Sequence, residues 1–254
     1  MDDPSYSLVI PAYNEEAYLP RLLDTVDAAR AQFRLGADAV EVIVADNQST
    51  DETVRVARER GCRVATIEKR CIAAVRNSGA ALATGDILCF VDADMRIHPD
   101  TFIAIDAEMR TEKYVAGATG VTLERHSPGV LAAMVIIFPM VWAAGMDTGV
   151  VFCRREDFDA VGGYNEELLM AEDVQFLLDL RMLGRTRGQR LVRATSAKAL
   201  SSTRKWDEHG QWHYFRLIAM FFVTRFILPH KADEFVQKYW YGDQRTPVKK
   251  EVRH

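Results

Sequence analysis

A surplus of basic residues is missing from this chain: in 254 residues, 32 lysines and arginines face 36 acids, for a formal charge of -4. A nucleic-acid-binding face needs clustered cations, so no nucleic-acid partner is expected. Cysteine is scarce as well. The four, Cys62, Cys71, Cys89 and Cys153, lack paired metal-site spacing, and Cys89 falls inside an apolar strand pattern. Free thiols in a reducing setting are expected, not a disulfide framework. No apolar run suits a membrane span of about 20 residues, since the apolar stretch 130–146 is short and carries Pro139 and Gly145. The start, Met1-Asp2-Asp3-Pro4, is acidic and unlike a cleavable leader, which makes cytoplasmic the expected location. Repeats and low-complexity linkers are absent too. With 48% hydrophobic and 27% charged residues, the composition is that of one large globular domain, with or without a small extension.

The first half alternates strand and helix signals. Apolar runs at 7–12, 41–45, 63–67 and 86–91 read as strands, and the last, bounded by Gly85, is apolar enough to be covered on both faces. Helical spacing occupies 15–31, where Tyr18, Leu19, Leu22, Leu23 and Val26 recur, then 72–83 and 99–110, the last with Pro99 in its first turn. Ser49 and Glu52 match a capping box, which predicts a helix from there to about Arg60, stopped by Gly61. This order predicts an α/β fold with a parallel sheet and right-handed crossovers. Strands are further expected at 115–123, 148–154 and 190–199, and an acid-led amphipathic helix at 172–183.

The strand at 86–91 ends in Asp92-Ala93-Asp94. Ligands gather at the carboxyl ends of strands in open α/β sheets. Two carboxylates there suit Mg2+ or Mn2+, hard ions that share oxygen ligands with substrate phosphates. A lone Asp-x-Asp is often only a solvated acidic turn, so its neighbours decide. The first strand leads into Tyr13-Asn14-Glu15-Glu16 and the second into Asp46-Asn47-Gln48-Ser49-Thr50-Asp51, on the same sheet edge. Three acid-bearing loops on one edge form a pocket. There Asp46 could accept a hydrogen bond from a nucleobase N–H, and Glu15 could grip ribose hydroxyls.

These pieces, followed in order by Gly162-Gly163-Tyr164 and Glu172-Asp173, resemble family-2 inverting glycosyltransferases of the GT-A fold over about residues 5–205. The resemblance implies a single Rossmann-like GT-A domain over 1–205, with a mostly parallel sheet, and a C-terminal helical extension and tail over 206–254. It implies a metal-dependent enzyme that moves a sugar from a nucleotide-sugar donor, a UDP-sugar first, to an acceptor hydroxyl or lipid phosphate. Pro11, Tyr13 and Glu15 would frame the nucleoside pocket with Asp46 near the base. Arg70, Arg76 and Asn77 fall in the segment that brings basic groups near the donor, although Arg76 on an Ala-rich helix equally fits a surface residue. Asp92 would face the donor ribose or sugar, Asp94 would be the principal ligand of Mn2+ or Mg2+, and Asp173 the general base. Arg204 would contact phosphate. Trp206 could pack on the sugar or only anchor its loop, and His209 and His213 are extra metal ligands or structural residues.

Two alternatives of other kinds stand beside this. A non-catalytic nucleotide-sugar-binding protein would need none of the reaction's acids, and all are present. A nucleotidyltransferase would be expected to carry a Gly-rich basic loop after the first strand, and Ala12-Tyr13-Asn14-Glu15-Glu16 is not one. The acceptor is not legible. The stretches 130–146 and 211–228, the second dense in aromatics with Arg216 and Arg225 among them, fit three roles: a membrane-facing groove for a lipid-linked acceptor at the inner membrane face, core helices, or a homodimer interface.

Overall fold

The computed structural model describes residues 3–124, 148–168 and 172–202. The stretches 130–146 and 211–228, Arg204, Trp206, His209, His213 and the proposed extension over 206–254 lie outside these residues.

Four parallel strands form one half of the main sheet: β1 (Tyr6–Ala12), β2 (Val40–Asp46), β3 (Arg63–Thr66) and β4 (Ile87–Phe90). Next come the two-residue β5 (Met95–Arg96), then β6 (Tyr114–Ala118), β7 (Val121–Leu123), β8 (Val151–Arg154), β9 (Arg190–Arg193) and β10 (Ala199–Ser201). The seven-stranded sheet runs β3-β2-β1-β4-β8-β6-β9, and a three-stranded sheet runs β5-β10-β7. Strand β8 lies antiparallel between β4 and β6, whereas β6 and β9 are parallel.

Period-two alternation along the strands splits the apolar residues between two cores. Tyr6, Leu8, Ile10 and Ala12 of β1 face helices α1 (Leu19–Gln32) and α4 (Thr101–Met109), through Leu22, Val26, Phe102 and Ile105. Val9 of β1, with Leu88 and Phe90 of β4, faces helix α3 (Ile72–Leu82) and helix α6 (Glu172–Thr186) through Ala73, Phe176 and Leu180. Helices on both faces explain why these strands read as continuous apolar runs. Each fully buried Leu, Ile, Val or Phe contributes about 1.5–3 kcal/mol relative to an exposed one.

Three local expectations are corrected. The predicted capping box does not form: helix α2 (Thr53–Glu59) starts later and has no side-chain cap. Instead the Ser49 hydroxyl accepts from the Asn14 N–H, and Glu52 pairs with Arg55, because the 46–53 loop is fastened to the neighbouring loop. The strand expected over 115–123 divides at Thr119 and Gly120, whose N–H groups bond Val150 and Thr148, and its second part joins the small sheet. Likewise 190–199 splits between β9 in the main sheet and β10 in the small one. Helix α5 (Arg155–Val161), which had no clear sequence signal, follows β8 directly.

Candidate active site

Because β1, β2 and β4 run parallel, their carboxyl ends share one edge. Pro11 helps open it. The Val9 carbonyl still accepts from Val91 N–H, on the β4 side. Two residues on, Pro11 points the same way and has no N–H to extend the ladder.

The loops after β1 and β2 are bolted together. Asn14 sits at φ 52° and Gln48 at φ 59°, conformations that bulkier residues rarely adopt. Asn14 Oδ1 accepts from Thr50 N–H at 2.8 Å, Glu15 N–H donates to Thr53 Oγ1 at 2.8 Å, and Glu16 N–H donates to Asp51 Oδ2 at 3.1 Å. Glu15 and Asp46 are buried at this junction, 5% and 3% exposed. Among the described residues, the Asp46 oxygens receive only the long bonds of Ser49 N–H, at 3.2 and 3.3 Å, which leaves acceptor capacity for a ligand. Asn47 Nδ2 donates to the Ile67 and Lys69 carbonyls. That anchors the next loop, where Arg70 lies 5.4 Å over the half-buried Tyr13 ring.

The two carboxylates of Asp92-Ala93-Asp94 face different neighbours. Asp92 Oδ1 accepts from Arg76 Nη2 at 2.9 Å. Asp94 lies against the small sheet, in a recess it shares with Tyr18, Arg21, Arg96 and Ser202. β5 pairs with β10, and this is what brings Ser202 there. Among the described residues no three His, Cys, Asp or Glu side chains gather as a closed metal cage. The recess holds the guanidiniums of Arg21 and Arg96 as well as the Asp94 and Glu124 carboxylates; a carboxylate at a strand end fits a hard divalent cation that would obtain its remaining ligands from diphosphate and water.

Glu172 and Asp173 open α6 and meet the same arginine. Arg76 Nη1 donates to Glu172 Oε1 at 2.8 Å and to Asp173 Oδ1 at 2.6 Å. The surface role considered for Arg76 is overturned: the residue is 5% exposed. Burial pushes the Asp173 carboxyl up, to about 7; Arg76 opposes the shift, and the like charges of Glu172 and Asp92 add to it. The Asp173 side chain remains 33% exposed, which softens the burial penalty without changing its sign and leaves the carboxylate reachable.

The Gly162-Gly163-Tyr164 turn sets the floor under Arg76. Gly163 has φ 73°, and a Cβ there would stand 2.8 Å from Asn77 Oδ1. Without one, Asn77 Oδ1 accepts from Tyr164 N–H and Asn77 Nδ2 donates to the Tyr164 carbonyl, both at 2.9 Å. The Tyr164 ring stacks on Phe176 at 4.2 Å and lies 5.2 Å from the Arg76 guanidinium.

Pro11, Tyr13, Glu15, Asp46, Arg76, Asp92, Asp94 and Asp173 thus all fall on or beside one sheet edge, and Arg204 is outside the described residues. Sequence reasoning assigned no role to Glu172, Thr53 or Tyr164. Glu172 carried a signal, as the partner of Asp173 in an acidic pair, whereas Thr53 was hidden behind the apparent capping box.

The profile of the family described as "Glycosyl transferase family 2" matches residues 7–126. The amylovoran biosynthesis glycosyltransferase AmsB of Erwinia amylovora is 37% identical over 108 residues, covering 39% of this chain and 34% of that protein. The chain therefore matches about a third of that relative's length. S. aureus TarS 1–349 in complex with UDP-GlcNAc superposes with a TM-score of 0.61 at 21% identity, over 79% of this chain and 59% of the other. The mannosyltransferase PcManGT of Pyrobaculum calidifontis, in complex with GDP-Man and Mn2+, gives 0.62 at 19%, over 79% and 57%. The fold is that of GT-A glycosyltransferases. Over residues 7–126, the chain matches glycosyl transferase family 2.

Proposed function

We propose that this chain is a metal-dependent inverting glycosyltransferase that uses a nucleotide-sugar donor, a UDP-sugar first. The observation that carries the reading is the meeting of Asp92, Glu172 and Asp173 on Arg76, at the edge where β1, β2 and β4 end. Pro11, Tyr13, Glu15 and Asp46 frame the nucleoside, Asp92 faces the donor sugar, and Arg204 takes a phosphate oxygen. Asp94 holds Mn2+ or Mg2+, which when bound offsets the charge that develops on the leaving diphosphate. Two neighbours in fold, in complex with UDP-GlcNAc and with GDP-Man and Mn2+, support a donor and ion of this kind.

Asp173 takes the acceptor proton. As the acceptor oxygen bonds to the anomeric carbon, its O–H pair stays on oxygen and the proton passes to the Asp173 carboxylate. The bond from the anomeric carbon to diphosphate breaks, and its electron pair leaves with the nucleoside diphosphate. A lipid phosphate already ionised at neutral pH has no proton to give, so a carboxyl with raised affinity for one favours a hydroxyl acceptor. This chemistry is assigned to the domain over 1–205. Association with the inner membrane face, a lipid-linked acceptor and a homodimer remain proposals resting on the aromatic segment 211–228.

The test is a thermal-shift screen of UDP-glucose, UDP-GlcNAc and GDP-mannose with Mn2+. A ligand at a hundred times its Kd stabilises the fold by about 2.7 kcal/mol. Asp94→Ala is expected to keep the unliganded melting temperature and to lose the Mn2+-dependent part of the shift. An Asp94→Ala protein with unchanged Mn2+ dependence overturns the metal assignment.

A further inference from the structure

One guanidinium serves three carboxylates from two separate parts of the edge. Arg76 Nη2 reaches Asp92 at the end of β4, and Nη1 reaches both Glu172 and Asp173 at the start of α6. The side chain is 6% exposed, and its inner nitrogen Nε is buried without a hydrogen-bond partner, so the outer nitrogens make all its polar contacts. Helix α3 can carry it there because the helix lies very close to the sheet: a Cβ on Gly79 would stand 2.4 Å from Val9 Cγ1.

We propose that Arg76 is a positioning residue, not a donor contact: it ties Asp92 to Asp173, so that the carboxylate facing the donor and the carboxylate taking the acceptor proton keep one spacing. The inference rests on the reading of Asp173 as the base. The charged and titratable groups facing Asp173 are Arg76 from α3, Glu172 from its own helix, Asp92 from the end of β4, and the Tyr164 phenol beneath Arg76. Three acids around one cation leave an excess of negative charge, so Glu172 works against Arg76 in setting the Asp173 charge. A lysine could not replace the arrangement, because it offers one point charge and not two nitrogens in a fixed fork.

The experiment follows the Asp173 carboxyl by 13C NMR in protein labelled on its Asp and Glu carboxyls, with D173N to identify the resonance. Wild type, R76Q, R76K and E172Q are titrated, and the same preparations are assayed for UDP release from UDP-glucose with Mn2+ and water as acceptor. R76Q removes the cation and should move the Asp173 midpoint up; E172Q removes an anion and should move it down. The acid limb of UDP release should follow each midpoint. R76K should lose on the order of a hundredfold in turnover, with the larger share in kcat and not in KM. Midpoints that stay still, or move the same way in R76Q and E172Q, overturn the proposal, as does a loss confined to KM. Should R76Q fail to fold, the E172Q shift and the R76K kinetics decide it. Failure of the base reading looks different: D173N would release UDP at the wild-type rate while the R76Q and E172Q midpoints still moved.

Discussion

Asp173 carries the sharpest consequence at the scale of single residues. Its carboxyl is pushed up to about 7 by burial, with Glu172 and Asp92 adding to the shift against Arg76, and a base works only when ionised. Turnover should therefore rise with pH through about 7. Asp173→Asn should lower it by about a hundredfold to ten-thousandfold and remove that limb. Stability runs the other way. A folded pKa above the unfolded value adds stability that is complete below about pH 4 and fades as pH rises through the folded value. Asp173→Asn, which cannot ionise, should thus gain on wild type in melting temperature between pH 4 and pH 8. Near-normal turnover in the variant, or a wild-type profile flat through pH 7, contradicts the assignment. In the sequence Asp173 was singled out by the family resemblance, as the second acid of the Glu172-Asp173 pair that follows Gly162-Gly163-Tyr164. Its charge state was not legible there, since that depends on Arg76, 97 positions earlier in the chain.

Among the elements, the turn between α5 and α6 shows why two adjacent glycines are not equivalent. Gly162 (φ 80°) has open space where a Cβ would go, whereas Gly163 (φ 73°) has Asn77 Oδ1 at 2.8 Å and the Phe158 ring at 3.0 Å. Both positions strain an alanine through φ, by about 1–2 kcal/mol. Only Gly163→Ala also pushes Asn77 off the Tyr164 backbone and so disturbs the floor under Arg76. Chemical denaturation should show Gly163→Ala costing about 1–2 kcal/mol more than Gly162→Ala, with donor turnover falling in the first alone. Equal costs would mean that the turn is not docked on α3 through Asn77. Helix α2 marks the limit of local reading. Ser49 and Glu52 had the right spacing for a cap, but Ser49 Oγ is taken by Asn14 and Glu52 N–H by Glu16 Oε2. A tertiary bond between loops outcompeted a local one.

For the molecule as a whole, the first four strands could be read to within about one residue at each end, and their crossover helices in place, although α1 and α2 start later than expected. Burial on both faces writes itself into sequence as uninterrupted apolar runs, and residues 42–45 and Ile87–Phe90 are such runs. The later half was legible only in part. Strand β8 enters antiparallel between β4 and β6, and two expected single strands each divide between the sheets. Partner choice of that kind depends on pairing across long chain distances, and apolar pattern alone does not encode it. The small sheet sets Asp94 apart from Asp92 and gives the two carboxylates different neighbours. The central claim is that this edge transfers a sugar from a nucleotide. Its most direct measurement is the release of nucleoside diphosphate from UDP-glucose, UDP-GlcNAc and GDP-mannose in the presence of Mn2+, followed for wild type and Asp173→Asn side by side. The account predicts release by wild type from at least one donor, abolished by chelation and lowered at least about a hundredfold in the variant. No release from any of the three, or equal release by both proteins, would contradict it.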